Sequence, residues 1–222
     1  MDKVRACTAF QPAFLAGKQT CPDLEFERPL WEAGYLRVGG IDEAGRGALA
    51  GPVSAAVVIL PHDPLIAGHL GGVRDSKQMT PRQRAHWAEV IRRLAFAWGV
   101  GFASAQEIDS LGIVPATYLA AWRAIQSLPQ LPQHLLIDYF HLPACNLPQT
   151  ALVKGDCRSL SIAAASVLAK TSRDRLMIEF DQQYPGYGLA LHKGYGTAFH
   201  LAALQRQGPS PMHRLTFRRR IL

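Results

Sequence analysis

Short unbroken apolar runs alternate along this chain with longer stretches whose apolar positions recur at helical spacing. Tyr35 to Ile41 reads as a first strand that ends on the acidic pair Asp42-Glu43, and Pro52 to Leu60 as a second strand, apolar enough to be buried on both faces. Phe96 to Phe102, Gln133 to Asp138 and Ala151 to Lys154 read as three further strands. Thr80 as N-cap and Pro81 at the first helical position open a helix to about Leu94. A second helix is predicted from about Pro115 to Ser127. A long third, from about Ser159 to Gln183, is apolar all round in its first half and therefore predicted to be buried. Strands mixed with helices in this way predict an α/β fold, a sheet with helices on its faces. Residues 1–34 lack this patterning; Pro12, Pro22 and Pro29 interrupt them, and only Leu24 to Glu32 could form a short helical turn. They are read as an N-terminal extension to a domain of residues 35–222.

Composition narrows the class. Hydrophobic residues make up 48% and charged residues 18% of the 222, a balance with little room for a long disordered tract. The 24 Lys and Arg against 17 Asp and Glu give a net charge of +7, which suits a polyanionic partner without requiring one. Cys7, Cys21, Cys145 and Cys157 form no CxxC pair, so neither a zinc site nor a disulfide framework is suggested. The N-terminus lacks the apolar core of a signal peptide, and no uncharged run reaches transmembrane length. A cytoplasmic protein with no membrane partner is expected.

The candidate chemistry sits at predicted strand ends. Asp42 and Glu43 close an apolar strand, where two carboxylates are costly to bury unless a cation neutralises them. A hard divalent ion is one answer; solvated carboxylates flanking a turn are the other. Neighbouring strand residues point to opposite faces, so both could serve one site only where the strand ends or bulges, and the glycines that follow allow that. Gly45, Gly47 and Gly51 do not match the dinucleotide fingerprint, because a strand rather than a helix follows them, and no G-K-[ST] of a P-loop is present. Asp138 ends another apolar strand. Asp156, in Lys154-Gly155-Asp156, precedes the long helix, where it could equally be a helix-capping residue. Gathered together, these four carboxylates would form an oxygen-rich cage of the kind used by metal-dependent phosphodiesterases.

Several motifs in one order identify a family. Asp42-Glu43-Ala44-Gly45-Arg46-Gly47 with Gly51-Pro52, and Asp75-Ser76-Lys77-Gln78, resemble ribonuclease HII. So do Lys154-Gly155-Asp156, Ile162 to Lys170, Arg173-Asp174-Arg175 and His192-Lys193-Gly194-Tyr195, the match running from about Leu36 to Phe217. The resemblance implies a ribonuclease H-like fold for residues 35–222 and a catalytic, metal-binding set of Asp42, Glu43, Asp138 and Asp156. It implies two Mg2+ or Mn2+ ions, one activating the attacking water and the other stabilising the leaving 3′ oxygen. It also implies cleavage on the 5′ side of a ribonucleotide in an RNA/DNA hybrid or a DNA duplex, leaving 3′-hydroxyl and 5′-phosphate ends. His134, His141, His192 and His213 are not needed for that chemistry. By the same resemblance Gly45, Arg46 and Gly47 read the ribose 2′-hydroxyl, Tyr195 stacks on the next sugar, and Lys77 and Thr216 touch the strands. Phosphate readers carry no base preference, so none is expected.

The sequence departs from the family pattern in places. Tyr139 follows the third aspartate where glycine is common, which could narrow that side of the cleft, and Gly112 and Pro115 stand where asparagines are frequent. Met79 replaces a usual leucine at little cost in volume. A longer C-terminal helical tail is absent, and Arg218-Arg219-Arg220 closes the chain, either as phosphate contacts or as a solvated terminus. The sister ribonuclease HIII would need an extra N-terminal substrate-binding domain that about 34 leading residues cannot supply. A non-catalytic nucleic-acid-binding module would not keep four carboxylates facing phosphates. A transposase or junction resolvase of the same fold would lack the Gly45-Arg46-Gly47 and Tyr195 elements. A monomer is expected, and no short sliding-clamp-binding peptide is visible.

Overall fold

The computed structural model describes residues 21–143 and 145–218. Expectations that fall on residues 1–20 and 219–222, among them Cys7, Pro12 and most of the closing arginine run, lie outside the described residues. A five-stranded sheet forms the centre: β1 (Val38–Ala44), β2 (Val53–Ile59), β3 (Ala97–Ala103), β4 (His134–Asp138) and β5 (Gln149–Leu152), in the order β3-β2-β1-β4-β5. β1 pairs antiparallel with β2 and parallel with β4, while β2–β3 is antiparallel and β4–β5 parallel.

The helices are α1 (Glu27–Glu32), α2 (Ile66–His69), α3 (Pro81–Leu94), α4 (Ala105–Leu111), α5 (Ile113–Gln126), α6 (Leu160–Gln183), α7 (Leu189–His192), α8 (Ala198–Gln207) and α9 (Leu215–Arg218). α6 packs across one face of the sheet, against β1 and β2; α5 covers the other, against β2 and β3. The expected α/β architecture is present. α3 starts as predicted, because the Thr80 side chain accepts from Gln83 N–H and Gln83 returns the bond. α5 begins before Pro115, which sits in the first turn where no N–H is required. β1 starts later than predicted and runs on through Asp42 and Glu43, and β5 ends at Leu152, before Lys154 turns left-handed at φ 55°.

The buried half of α6, Ile162 to Ala169, lies directly on β1 and β2. Gly40 makes this approach possible, since a β-carbon there would collide with the Ser161 backbone. Each fully buried Ile or Leu at this interface contributes about 1.5–3 kcal/mol. Residues 21–34 close the same core: Leu24, Phe26, Leu30 and Trp31 are buried, and Asp23 forms a bridge with Ser159. Glu27 goes in with them. Its Oε1 accepts from Ser159 Oγ and Ser161 Oγ, both at 2.6 Å, and from Ser161 N–H at 2.9 Å.

Candidate active site

The strand register brings the acidic residues together. β1 and β4 run parallel with Ile41 beside Ile137, so the next residues on each strand, Asp42 and Asp138, lie side by side at the same sheet end. Asp138 is fixed by Gly155 N–H, which donates to its Oδ1 at 2.7 Å. The left-handed turn at Lys154 delivers that N–H and carries Asp156 into the same place. Asp156 does not cap α6. Ser159 does, accepting from Ile162 N–H, while the buried Glu27 carboxylate takes the Ser161 N–H. Asp42 Oδ1 accepts from Glu43 N–H at 2.7 Å, and Ser166 of α6 stands beside it, its hydroxyl 2.9 Å from that of Ser76.

These carboxylates are electrostatically frustrated. Burial, then repulsion from Glu43 and Asp138, pushes Asp42 well above the usual range. Burial raises Glu43, with Arg46 and Lys77 opposing, and burial together with Asp156 and Glu43 raises Asp138 to about 6. Glu43 Oε1 meets Arg46 Nη1 at 3.2 Å, but Glu43 Oε2 is buried with no hydrogen-bond partner among the described residues. Lys77 is partly desolvated, which lowers its pKa, yet Asp75, Asp42, Asp156 and Asp138 outweigh that and raise it. An orphaned buried oxygen among mutually repelling carboxylates fits hard divalent cations. Asp75, Asp156 and Cys157 also converge, with ligand atoms within 4.8 Å of one another. Asp75 and Cys157 were not singled out from sequence, since neither ends an apolar strand nor repeats at a metal-binding spacing. The Cys157 thiol is pushed up to about 11, first by burial and then by Asp156, so it is a neutral neighbour rather than a thiolate.

Beside the carboxylates lies a cavity of 490 Å³ lined by Glu43 to Gly47, Ser76, Lys77, Lys170 and Tyr195. It unites the predicted glycine turn, Lys77 and Tyr195. Across Lys170 and Tyr195 it adjoins a second cavity of 680 Å³ that includes Arg84 and Lys193. Thr216 is not among its lining residues; that hydroxyl donates to Asp109 at 2.6 Å. The ring of Tyr139 is 73% exposed, so the bulk after Asp138 projects into solvent.

Two buried arginines build the turn from behind. Arg173 donates to the carbonyls of Pro52, Ala50 and Lys193 at 2.8, 3.0 and 2.9 Å. Arg214 donates to Gly51, Arg46 and Gly45 carbonyls at 2.9, 2.8 and 2.8 Å. Burial lowers both guanidinium pKa values, and the proximity of Arg173 helps take Arg214 down to about 9. Carbonyl acceptors on the loop offset that desolvation. In the sequence Arg173 stands out only as part of the Arg173-Asp174-Arg175 motif. Its buried role depends on a three-dimensional approach that no local spacing reports.

The family model for Ribonuclease HII matches residues 39–220. Over 196 residues the chain is 56% identical to the Ribonuclease HII of Synechococcus sp. (strain JA-3-3Ab), covering 88% of each chain. Its fold is similar to that of the ribonuclease H2 from Pyrococcus horikoshii OT3, with a TM-score of 0.67 and 27% identity over 83% of this chain and 96% of that one. It is also similar to a chain of the PCNA:RNase HII complex from Archaeoglobus fulgidus, with a TM-score of 0.68 and 24% identity over 81% and 94% of the two chains, a likeness of fold alone.

Proposed function

This chain belongs to the ribonuclease HII family, and from that premise we propose that it nicks duplex DNA on the 5′ side of embedded ribonucleotides as well as cutting the RNA strand of RNA/DNA hybrids. It is a ribonuclease H endonuclease of a metal-dependent family. The finer reading rests above all on Glu43 Oε2, a buried oxygen with no partner, set among carboxylates that burial and mutual repulsion push up.

Asp42, Glu43, Asp138 and Asp156 would hold two Mg2+ or Mn2+ ions, which when bound supply an activated water and stabilise the leaving 3′ oxygen. The Gly155 N–H orients Asp138 and the Glu43 N–H orients Asp42, so neither carboxylate must reorganise. The Gly45-Arg46-Gly47 backbone, braced by Arg173 and Arg214, reads the 2′-hydroxyl. Arg46, already paired with Glu43, and Lys77 face phosphate. Tyr195 stacks on the following sugar and favours a deoxyribose there. Thr216 contributes a strand contact only by exchanging its bond to Asp109. Residues 35–222 form the catalytic domain, with residues 1–34 as its extension.

The test is a duplex DNA carrying one ribonucleotide, incubated with the protein and Mg2+ or Mn2+. The expected product is a single nick 5′ to the ribonucleotide with 3′-hydroxyl and 5′-phosphate ends. Asp42→Asn and Asp138→Asn abolish it while the folded circular-dichroism spectrum is retained. An intact duplex with wild-type protein and either ion would sink this reading.

A further inference from the structure

Two histidines that the cleavage chemistry does not use, His200 and His213, form a hydrogen-bonded chain behind Tyr195, with a third, His192, stacked on it. His200 and His213 are buried, and their Nε2 atoms lie 2.9 Å apart. The other contacts fix which ring carries which proton. The Tyr195 carbonyl can only accept, at 2.9 Å, so His200 Nδ1 donates to it. The Ser210 N–H can only donate, to His213 Nδ1 at 2.9 Å, so His213 carries its proton on Nε2. The remaining bond therefore runs from His213 Nε2–H to His200 Nε2, and both rings are neutral. His192 stacks on His200 at 4.4 Å; its Nε2 donates to the Tyr187 carbonyl at 2.8 Å, and its Nδ1 accepts from Gly194 N–H.

The chain ends on both sides at the substrate cavity. At one end it holds the carbonyl of Tyr195, which lines that cavity. At the other, His213 bridges to Ala50, and the next residue, Arg214, donates to the carbonyls of Gly45 and Arg46. The Leu49–Gly51 segment is clasped between the two: Leu49 N–H donates to Gly194 at 2.8 Å and Gly51 N–H to Met212 at 2.7 Å. We propose that His200 and His213 are positioning residues that hold Tyr195 and the Gly45–Gly47 turn at a fixed separation, through a bond that, as arranged here, needs His200 Nε2 unprotonated and free to accept. This rests on the reading of Tyr195 and that turn as the ribonucleotide-recognising elements. A proton on His200 Nε2 would set one N–H against another and open the chain. The groups facing the pair are Tyr187 against His213, His192 stacked on His200, the Tyr195 carbonyl, and Ser210, whose N–H and Oγ both lie 2.9 Å from His213 Nδ1. None of them is a carboxylate, and burial with the adjacent His192 lowers the His200 pKa against the Tyr195 bond.

Two measurements test this separately from the reading it rests on. In the wild-type protein, 15N shifts of labelled histidines should show His200 protonated on Nδ1 and His213 on Nε2 at about pH 8, with His200 titrating below the ordinary value of about 6.5. Opposite tautomers or ordinary titration would overturn the proposal whatever the substrate does. In kinetics on a single-ribonucleotide duplex, His213→Gln keeps an amide N–H at the Nε2 position but cannot titrate, whereas His213→Leu deletes the donor. His213→Leu should raise KM about tenfold with kcat within about twofold, and His213→Gln should stay within about threefold of wild type. Wild-type KM should rise as pH falls from about 7.5 to about 5.5, and that of His213→Gln should not. Equal behaviour of the two variants, with the wild-type pH dependence in both, would reduce the histidines to space fillers. Tyr195→Ala is the control: unchanged KM there would overturn the role given to Tyr195, while the tautomers still judge the chain.

Discussion

The side chain of Arg173 occupies the space that a β-carbon on Gly45 would need, and Gly45 itself sits at φ 93°, where only glycine is comfortable. A glycine in the Gly45–Gly47 turn and a buried arginine on α6 are therefore one device. The arginine can bind three carbonyls behind the loop because the loop presents no side chain to it.

Gly45→Ala should lower stability by about 2–3 kcal/mol, from left-handed strain plus overpacking against Arg173. It should lower cleavage as well, because Arg173 must move and release the Ala50 and Pro52 carbonyls. Urea unfolding and single-turnover cleavage measured together check this. Arg173→Lys should partly relieve the stability loss in the double variant, since the shorter reach of lysine vacates the contested space. Strict additivity would show that the two residues do not compete.

The acidic cluster makes a prediction about pH. Asp138 is raised from 3.8 to about 6, by burial first and by Asp156 and Glu43 next. An acid whose folded-state pKa is raised binds its proton more tightly when folded, so that stabilisation is complete below 3.8 and is lost as pH rises through about 6. In chelator, the melting temperature should therefore fall across that window. Mn2+ at neutral pH should restore it, because the ion replaces the proton. Asp138→Asn should flatten the chelator profile and blunt the Mn2+ effect. A chelated wild type that grows more stable between pH 4 and 6 at this step would contradict the burial of the cluster.

Glu27 should prove structural. Its Oε1 gathers three donors at the start of α6 while Oε2 is buried without a partner, and burial raises its pKa. Glu27→Gln keeps the accepting oxygen and should change stability by less than about 1 kcal/mol. Glu27→Ala leaves two serine hydroxyls and an N–H unpaired beside a cavity and should cost about 2–4 kcal/mol. Thermal unfolding distinguishes them, and ribonucleotide cleavage by the surviving folded fraction should be unchanged in both.

Local signals in the sequence reached as far as the strand tips. Asp42, Asp138 and the Lys154-Gly155-Asp156 turn were legible because a charge at the end of an apolar run is costly unless it is used. What joins them is the β1–β4 register, a long-range property with no local signature. The ambiguity at Asp156 was resolved by residues outside its own turn, since Ser159 caps α6 and Glu27, far away in the chain, supplies the oxygen that accepts the Ser161 N–H. The buried roles of Arg173, Arg214, His200 and His213 were not legible for a related reason. Their partners are backbone carbonyls and one another, and neither leaves a residue-type pattern. Tyr139 was legible as a departure but not in its direction, because its backbone angle decides where the ring goes.

Tyr139 adopts φ 67° immediately after Asp138, which explains why glycine suits this position and what a tyrosine costs there. The left-handed conformation costs a non-glycine residue about 1–2 kcal/mol, and a mostly exposed ring returns little of it through packing. Tyr139→Gly should therefore raise stability by about 0.5–1 kcal/mol, the net after the larger chain entropy of glycine in the unfolded state is subtracted. The Tyr139 N–H donates to the Leu152 carbonyl at 2.9 Å, and that bond survives the substitution. Asp138 should stay in place, so kcat with Mn2+ should not change. KM should also hold, because the ring projects into solvent rather than across the cleft. A lower melting temperature for Tyr139→Gly would mean that the ring is anchored by contacts worth more than the backbone strain, and a lower KM would mean that it does narrow the cleft.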